Sequence, residues 1–586
     1  MTITARPARF APHWVAVVIG LVAASGAKAQ TADPRVGLKA GWKDAGIAAS
    51  GMALIGHHDK PTGFFDPAAP YGGSAHGNSD LAFRGNLVFQ GNYSGFQIWD
   101  VSNPRSPSLR TAVTCPGNQG DPSVFGNLLF ISIQATSGRL DCGSQGVADT
   151  VSAERFRGVR IYDISDLDHP TVLAAVQTCR GSHTHTLVTD PNDKANIYVY
   201  VSGTSIVRSG KELPGCSGLP PDQDPNTSLF QIEVIRVPLA APQDAKIVST
   251  PRIFTNAAGA IAGLAKAGNS GEGTQTTSET NQCHDITAFP ELGIAAGACS
   301  GNGIQLDIRD PAHPKRITEV SDPNFAYWHS ATFNNDGTKL LFTDEWGGGS
   351  APRCRSTDKP EWGADAIYTL SNGKLTQGGF YKLPAPQTEQ ENCVAHNGSL
   401  IPVPGRDLFV QSWYQGGISI VDFTDARHPF EIGFFDRGPV DAAKAVQAGE
   451  WSSYWYNGLI YGSEIARGLD ILELKPSPYL SQNEIDAAKL VRFDQFNAQL
   501  QPKFVWPAAF VVARAYLDQL VRNDGLRKSW AAPVGRSLDK AERLKGAARR
   551  TLLTSLAKRL DQDAASAGDP DRVRKLAAVL IELAAK

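Results

Sequence analysis

Four short stretches place imidazoles where chemistry could be done: Ser182-His183-Thr184-His185-Thr186, Gln282-Cys283-His284-Asp285, Tyr327-Trp328-His329-Ser330 and Val394-Ala395-His396-Asn397. Each stands just before, or at the start of, a run with β-like alternation of apolar residues. Carboxylates recur at a second point of the same pattern, as Asp344-Glu345 and Glu464. Imidazoles beside one or two carboxylates make a donor set for a transition metal, since imidazole suits Zn, Cu and Fe. His185, His284, His329 and His396 are therefore candidate ligands of one Cu, Zn or Fe ion, with His183, Asp344, Glu345 and Glu464 as additional candidates. Asp285 is placed to fix the tautomer of a ligating histidine from behind. Two plainer readings compete. A histidine at the start of a repeat can bond neighbouring backbone and lock one repeat to the next, and the same residues can hold a ligand without metal. His169, His313 and His428 sit in His-Pro turns and are read as turn residues.

The eight cysteines lie close to these points. Pairing of near neighbours gives Cys115–Cys142, Cys179–Cys216, Cys283–Cys299 and Cys354–Cys393. Each such bridge would staple a loop to a strand start and stabilise it by about 2–4 kcal/mol. Metal ligation by thiolate is the alternative, disfavoured in the oxidising compartments where disulfides persist. No Gly-x-Ser-x-Gly elbow, P-loop, His-Glu-x-x-His or dinucleotide fingerprint occurs. Gly347-Gly348-Gly349 lacks the Lys and the following helix of a phosphate loop.

The elements that must position these residues are repeated. Gly85-Asn86-Leu87-Val88-Phe89 followed by Gly95-Phe96-Gln97-Ile98-Trp99-Asp100-Val101-Ser102 matches Gly126-Asn127-Leu128-Leu129-Phe130 followed by Gly158-Val159-Arg160-Ile161-Tyr162-Asp163-Ile164-Ser165. Further copies run through 292–310 and 407–425, with looser ones at Asn196–Pro238, Lys339–Leu370 and Asn457–Leu474. A first strand, a Gly/Asn turn, a second strand, a Gly-led third strand ending in Asp and a fourth apolar run make one unit. The Asp can stop the third strand through an Asx-turn. Seven units of four strands predict a mainly β chain folded as a seven-bladed β-propeller. The last unit lacks a fourth strand, and Met52–His58 is predicted to supply it from the other end of the chain. Aligned on the first strand, the copies carry Ser79, Gly120, His185, His284, His329, His396 and Trp451 at one register. If that strand is innermost, this register rings one mouth of the channel. His183, two residues before His185, would point to the same side. Insertions at 134–157, 203–228 and 241–282 are expected as rim loops.

Gly-Ile-Ser-Ile-Val-Asp at 417–422 and Gly-Phe-Gln-Ile-Trp-Asp-Val-Ser-Asn-Pro at 95–104 resemble the LVIVD repeat of exported bacterial proteins. The resemblance covers about residues 50–475 and implies propeller blades, but it says almost nothing about chemistry. Copies ending in Gln231-Ile232-Glu233-Val234 and Ile367-Tyr368-Thr369-Leu370 lack the Asp. Beyond Tyr479 the pattern changes to Ala, Leu, Arg and Gln at helical spacing, over Asn483–Leu500, Phe510–Asn523, Leu538–Ala564 and Arg572–Lys586, with Asp569 before Pro570 able to cap the last helix. This resembles the FIMAH-type helical modules of some exported proteins.

The organisation read from the chain is thus a signal peptide at 1–29, an N-terminal segment at 30–50, the propeller at 51–476 and a small α-helical domain at 477–586. Arg6 and Arg9, the apolar Trp14–Ala24 and the small residues of Ala27-Lys28-Ala29 give the signal its three regions. No later run is long enough to span a membrane, and the expected location is periplasmic or secreted. A net charge of −2 gives no reason to expect nucleic acid as partner. Two functions fit. One is a binding or scaffold protein that holds a protein, glycan or small molecule at its channel mouth and rim loops. The other is a metal-dependent, oxidoreductase-like enzyme built on the histidines.

Overall fold

In the computed structural model the described residues are Thr2, 33–69 and 74–586. The signal-peptide reading of 1–29 falls, Thr2 apart, outside them. The chain is mainly β, and its strands assemble mostly into four-stranded antiparallel sheets taken in sequence order. The first has Asn78–Arg84, Leu87–Asn92, Gly95–Asp100 and Ser108–Thr114, with an added fifth strand, Gln495–Asn497, on its inner edge. Quartets of the same order follow over 119–177, 186–249, 285–320 and 328–381. A nine-stranded sheet holds the rest. Two antiparallel groups, 397–437 and 450–474, meet in it through the parallel pairs Asn397 with Ser452 and Gly398 with Ser453.

Burial explains the composition of the strands. The first three strands of a unit are buried on both faces, because each sheet is covered by the sheets before and after it. The fourth strand, such as Lys315–Val320, alternates exposed and half-buried residues, as an outer edge should. The Asp that ends the third strand turns the chain in each clear copy. Asp100, Asp163, Asp307 and Asp422 accept the backbone N–H two residues on, at 2.8–3.0 Å. Neighbouring sheets share hydrophobic clusters, as Phe89 and Phe96 do with Leu129 and Tyr162. The strands of 450–474 share theirs with the first sheet, where Phe83 stacks on Tyr456 with ring centroids 4.8 Å apart.

The N-terminal residues complete two edges. Met52–Asp59 pairs antiparallel along Gly468–Leu474, and Ile47–Ser50 pairs along Phe434–Arg437. Arg35 binds Glu431 through two 2.8 Å contacts. Cysteines pair as Cys115–Cys142, Cys179–Cys216, Cys283–Cys299 and Cys354–Cys393, spanning 16 to 39 residues. Among the described residues no helix is long and apolar enough to cross a membrane.

The C-terminal part corrects the expected helices. Helix α1 covers only Gln482–Ala488, opened by a Ser481/Glu484 capping box, rather than Asn483–Leu500. The residues after it run extended. Asn497 exchanges two hydrogen bonds with Val124 (2.7 and 2.9 Å), Gln501 two with Phe333 (3.0 and 2.8 Å), and Gln499 donates to Asp80 at 3.0 Å. Phe493, Phe496 and Leu500 mimic helical spacing, but Phe493 and Phe496 pack together on the sheets of 78–114 and 450–474, while Leu500 packs on those of 186–249 and 285–320. The stretch read as one helix, Leu538–Ala564, is two. Helices α2 (Phe510–Arg522), α3 (Lys528–Arg543), α4 (Gly546–Ala564) and α5 (Pro570–Ala585) share one apolar cluster. Asp569 caps α5 by accepting from Arg572 N at 3.0 Å.

The strand pair between the two ends of the chain is pinned by charge. His57 Nδ1 lies 2.6 Å from Asp470, and Arg437 contacts the same fully buried carboxylate at 2.7 Å. Burial works against charge on His57, but the hydrogen bond and the negative charge of Asp470, with help from Asp59, together outweigh it and raise the imidazole's pKa. Protonated His57 therefore stabilises the pair below its unfolded value of about 6.5, and that contribution is lost as pH rises through the raised folded value. Thermal unfolding midpoints should fall more between about pH 6 and pH 9 in the wild type than in His57→Gln. Asp470→Ala, which strands a buried guanidinium, should cost about 3–5 kcal/mol in denaturant unfolding.

Candidate metal centre

His284 and His396 each stand one residue before the first strand of their unit, their backbone N–H groups bonded to Ala298 O (2.8 Å) and Ser412 O (3.1 Å). His329 lies inside Trp328–Phe333, where the pairing register slips between Trp328 and Ala331. Such a bulge re-aims a side chain. Here Trp328 is in the apolar core while His329 turns towards the other imidazoles.

The rings form a row. Centroids are 4.3 Å apart for His183 and His284, 3.8 Å for His284 and His329, and 4.2 Å for His329 and His396. Tyr414 and Trp451 follow at 4.5 and 5.1 Å from His396. Glu345 lies against the row, its two oxygens each 3.8 Å from an Nε2, one of His329 and one of His396. Tyr414 Oη donates to Glu345 at 2.6 Å. Gly349 permits that approach: at φ +67°, a Cβ there would meet Tyr414 Oη at 2.2 Å. Ligand atoms of His284, His329 and Glu345 all fall within 4.8 Å of one another.

Three of the imidazoles are oriented from behind. Nδ1 of His183 bonds Gln134 Oε1, Nδ1 of His284 faces Asp285 at 3.0 Å, and Nδ1 of His396 donates to the Trp451 carbonyl. Fixing Nδ1 leaves Nε2 as a lone-pair donor, the arrangement usual behind metal-bound histidines. Both ring nitrogens of His329 and Nε2 of His396 are buried with no hydrogen-bond partner among the described residues. Buried polar atoms are ordinarily satisfied, so this is a group of donors facing one another without protein partners.

Burial keeps the imidazoles uncharged. It holds His183 and His329 well below the usual histidine range and pushes His284 and His396 down to about 3. The same desolvation lifts Glu345 to about 8 and Asp285 to about 7. Neutral imidazoles are the form a metal binds, and a cation among them would reverse the pressure on the carboxylate. Above the row opens a cavity of about 480 Å³, with His183, His284, Glu345 and His396 exposed to it and Tyr93, Tyr327, Trp346 and Trp451 among its walls.

Two expectations are corrected. His185 does not join the row: it lies against Phe130, and its Nδ1 is 2.8 Å from Ser132 Oγ on the preceding sheet. The chain bends at His183-Thr184 before the strand begins at Thr186, so period-two alternation fails there and His183 faces the next sheet instead. Of the acids only Glu345 turns inward. Asp344 accepts from the N–H groups of Ala326, Tyr327 and Gly363 at 2.8–3.0 Å. Glu464 is held by Gly449 N at 2.8 Å and by Arg467 at 3.0 Å. The cysteines are all in disulfides, leaving no thiolate to ligate. Gln134 and Tyr414 were not singled out from the sequence. Gln134 lies in an insertion and Tyr414 before a Gly-Gly turn, and neither position carries a repeat signal.

No family model and no curated protein matches the chain, so the likeness to the LVIVD repeat has no family match behind it. Among solved structures it is similar to a Lactobacillus plantarum protein at 12% identity and TM-score 0.39, covering 66% of this chain and 96% of that one. It is also similar to the N-terminal domain of Nup159 (10%, 0.39, 73% and 96%) and to Saccharomyces cerevisiae Sqt1 (10%, 0.36, 66% and 82%). None of the cluster residues is carried over from them.

Asp344 and Glu345 should separate cleanly on mutation. Asp344→Ala removes the acceptor of three buried N–H groups and should cost at least about 2 kcal/mol, since one orphaned buried donor costs about 1–3. Chemical denaturation reads the loss, and any metal bound per folded chain should stay unchanged. Glu345→Gln should do the reverse.

Proposed function

We propose that this chain is an exported seven-bladed β-propeller of four-stranded blades, with Met52–Asp59 completing the last blade and a small helical domain at 477–586. We further propose that it is a metal-dependent enzyme acting on a small molecule at the channel mouth. Repeated antiparallel quartets, the packing of 450–474 on the first sheet and four disulfides support the architecture and the export.

One observation carries the functional reading. Imidazole nitrogens of His329 and His396 are buried without partners among the described residues beside Glu345, and Glu345 and His396 line an aromatic-walled cavity. A locking histidine bonds the neighbouring sheet as His185 does through Nδ1 to Ser132, although the Nε2 of His185 is also buried without a partner among the described residues. His329 makes no such bond. His284, His329 and Glu345 would hold the ion, with His396 and His183 as further donors. Copper, zinc and iron all accept this mixture of imidazole and carboxylate. When bound, the metal would supply Lewis-acid polarisation or, for copper or iron, redox chemistry.

The protein's own groups do the rest. Asp285, Gln134 and the Trp451 carbonyl fix ring orientation, and Tyr414 holds Glu345 by its hydroxyl. A cavity of about 480 Å³ lies within the range of small-ligand sites. Its Trp and Tyr walls favour a flat or apolar substrate, with Gln119, Ser278 and Gln447 as polar contacts.

Elemental analysis of protein exported to the periplasm tests this. Wild type should carry about one Cu, Zn or Fe per chain, and His284→Ala, His329→Ala and Glu345→Gln should each retain less than about a tenth of it. His185→Ala should keep full content. Asp285→Asn and Tyr414→Phe should weaken affinity about 10–100-fold, as loss of an orienting partner does. Wild type that stays metal-free after incubation with each ion would end this reading.

A further inference from the structure

Two rim loops enclose a second cavity, of about 560 Å³, between 134–157 and 203–212. Both loops are stapled, by Cys115–Cys142 and Cys179–Cys216. Its lining is unusually cationic: Arg155, Arg157, Arg208 and Lys211. The three arginines are 7%, 1% and 6% exposed. Arg155 and Arg208 share a single buried carboxylate, Glu212, with Arg208 at 2.6 Å. Arg157 makes no ion pair among the described residues. It donates only to carbonyls, those of Gln134 (3.3 Å), Arg180 (3.1 Å) and Ile206 (2.9 Å). Asp149 is the other acid at the cavity and is exposed at its mouth. Four cations thus face two carboxylates.

Buried charges are normally paired, and a guanidinium held by neutral carbonyls beside two others is not. Burial and the adjacent Arg208 push Arg157 down to about 10, so it remains charged at neutral pH. The cavity also has an apolar side of Val147, Val151, Ile206 and Val207, with Ile206 72% exposed at the entrance.

We propose that this cavity binds an amphiphilic organic anion, its sulfate, carboxylate or phosphate head on Arg157 and Lys211 and its apolar tail along Ile206 and Val151. The site is separate from the histidine row and stands or falls independently of it. Carbonyls hold Nε and Nη2 of Arg157, so the guanidinium is already ordered and Nη1, which donates to none of them, is left to meet such a head at little side-chain entropy cost.

Calorimetric titration with octyl sulfate, below its micelle-forming concentration, tests the proposal. Wild type should bind one equivalent, inorganic sulfate should compete more weakly, and octyl glucoside should show no saturable binding. Arg157→Gln should lower affinity at least about tenfold through loss of a charge-assisted contact. The exposed changes Lys211→Gln and Ile206→Ser should lower it about two- to fivefold each, in keeping with rim contacts. No saturable binding of either anion to wild type would overturn the proposal. So would affinity for octyl sulfate left unchanged by Lys211→Gln and Ile206→Ser together, which keeps the test decisive should Arg157→Gln fail to fold.

Discussion

A β-sheet leaves a row of unpaired N–H and C=O groups at each edge, and a chain of repeated sheets leaves an exposed face at each end. Both problems meet where Met52–Asp59 runs along Gly468–Leu474. There the residues just after the N-terminal segment supply the outer strand of the last sheet, and that sheet packs on the first through Phe83, Tyr456 and Tyr461. Edge pairing of this kind removes the template for association that an open strand presents. It also sets the distance between strand starts elsewhere, because each sheet is wedged between two others. The Asp470 carboxylate, buried under His57 and Arg437, sits at that junction.

The histidine row depends on this wedge. Imidazoles 3.8–4.3 Å apart come from separate sheets, and no local segment could hold them so. The opposite ends of the inner strands are tied by the extended residues 495–501, whose Asn and Gln amides reach Val124, Asp80 and Phe333. One side of the assembly is thus bound together by backbone-like amide contacts, while the other is left to side chains with few partners. That asymmetry separates the amide-bonded side of the fold from the cavity above the histidines.

Much of the fold was legible because its signals are local. Alternation in Leu87–Asn92 and in the orphan strand at Met52–His58 is a pattern of neighbouring residues, and the turns at Asp100 and its counterparts are hydrogen bonds to the residue two further on. The extended run after Ala488 was not legible. Phe493, Phe496 and Leu500 fall at helical intervals, but contacts with sheets distant in sequence hold them, and tertiary contacts override spacing. Both His183 and His185 were expected at the site, and only His183 is there, for a related reason. Alternation holds only in a strand, and the chain bends between them.

By itself the sequence determined the repeat, the β character of the units and the register at which histidine recurs, because strand period, turn chemistry and cysteine spacing are properties of neighbouring residues. Only the tertiary structure decided which of those groups share a site. Asp344 and Glu345 are adjacent in the chain, yet one is consumed by three backbone N–H groups and the other faces two imidazoles. Arg157 looks like any basic residue of a loop until burial removes its water and leaves it no ion pair among the described residues. In both cases the chemistry is set by what surrounds a side chain once solvent has gone, and that depends on segments far away in sequence.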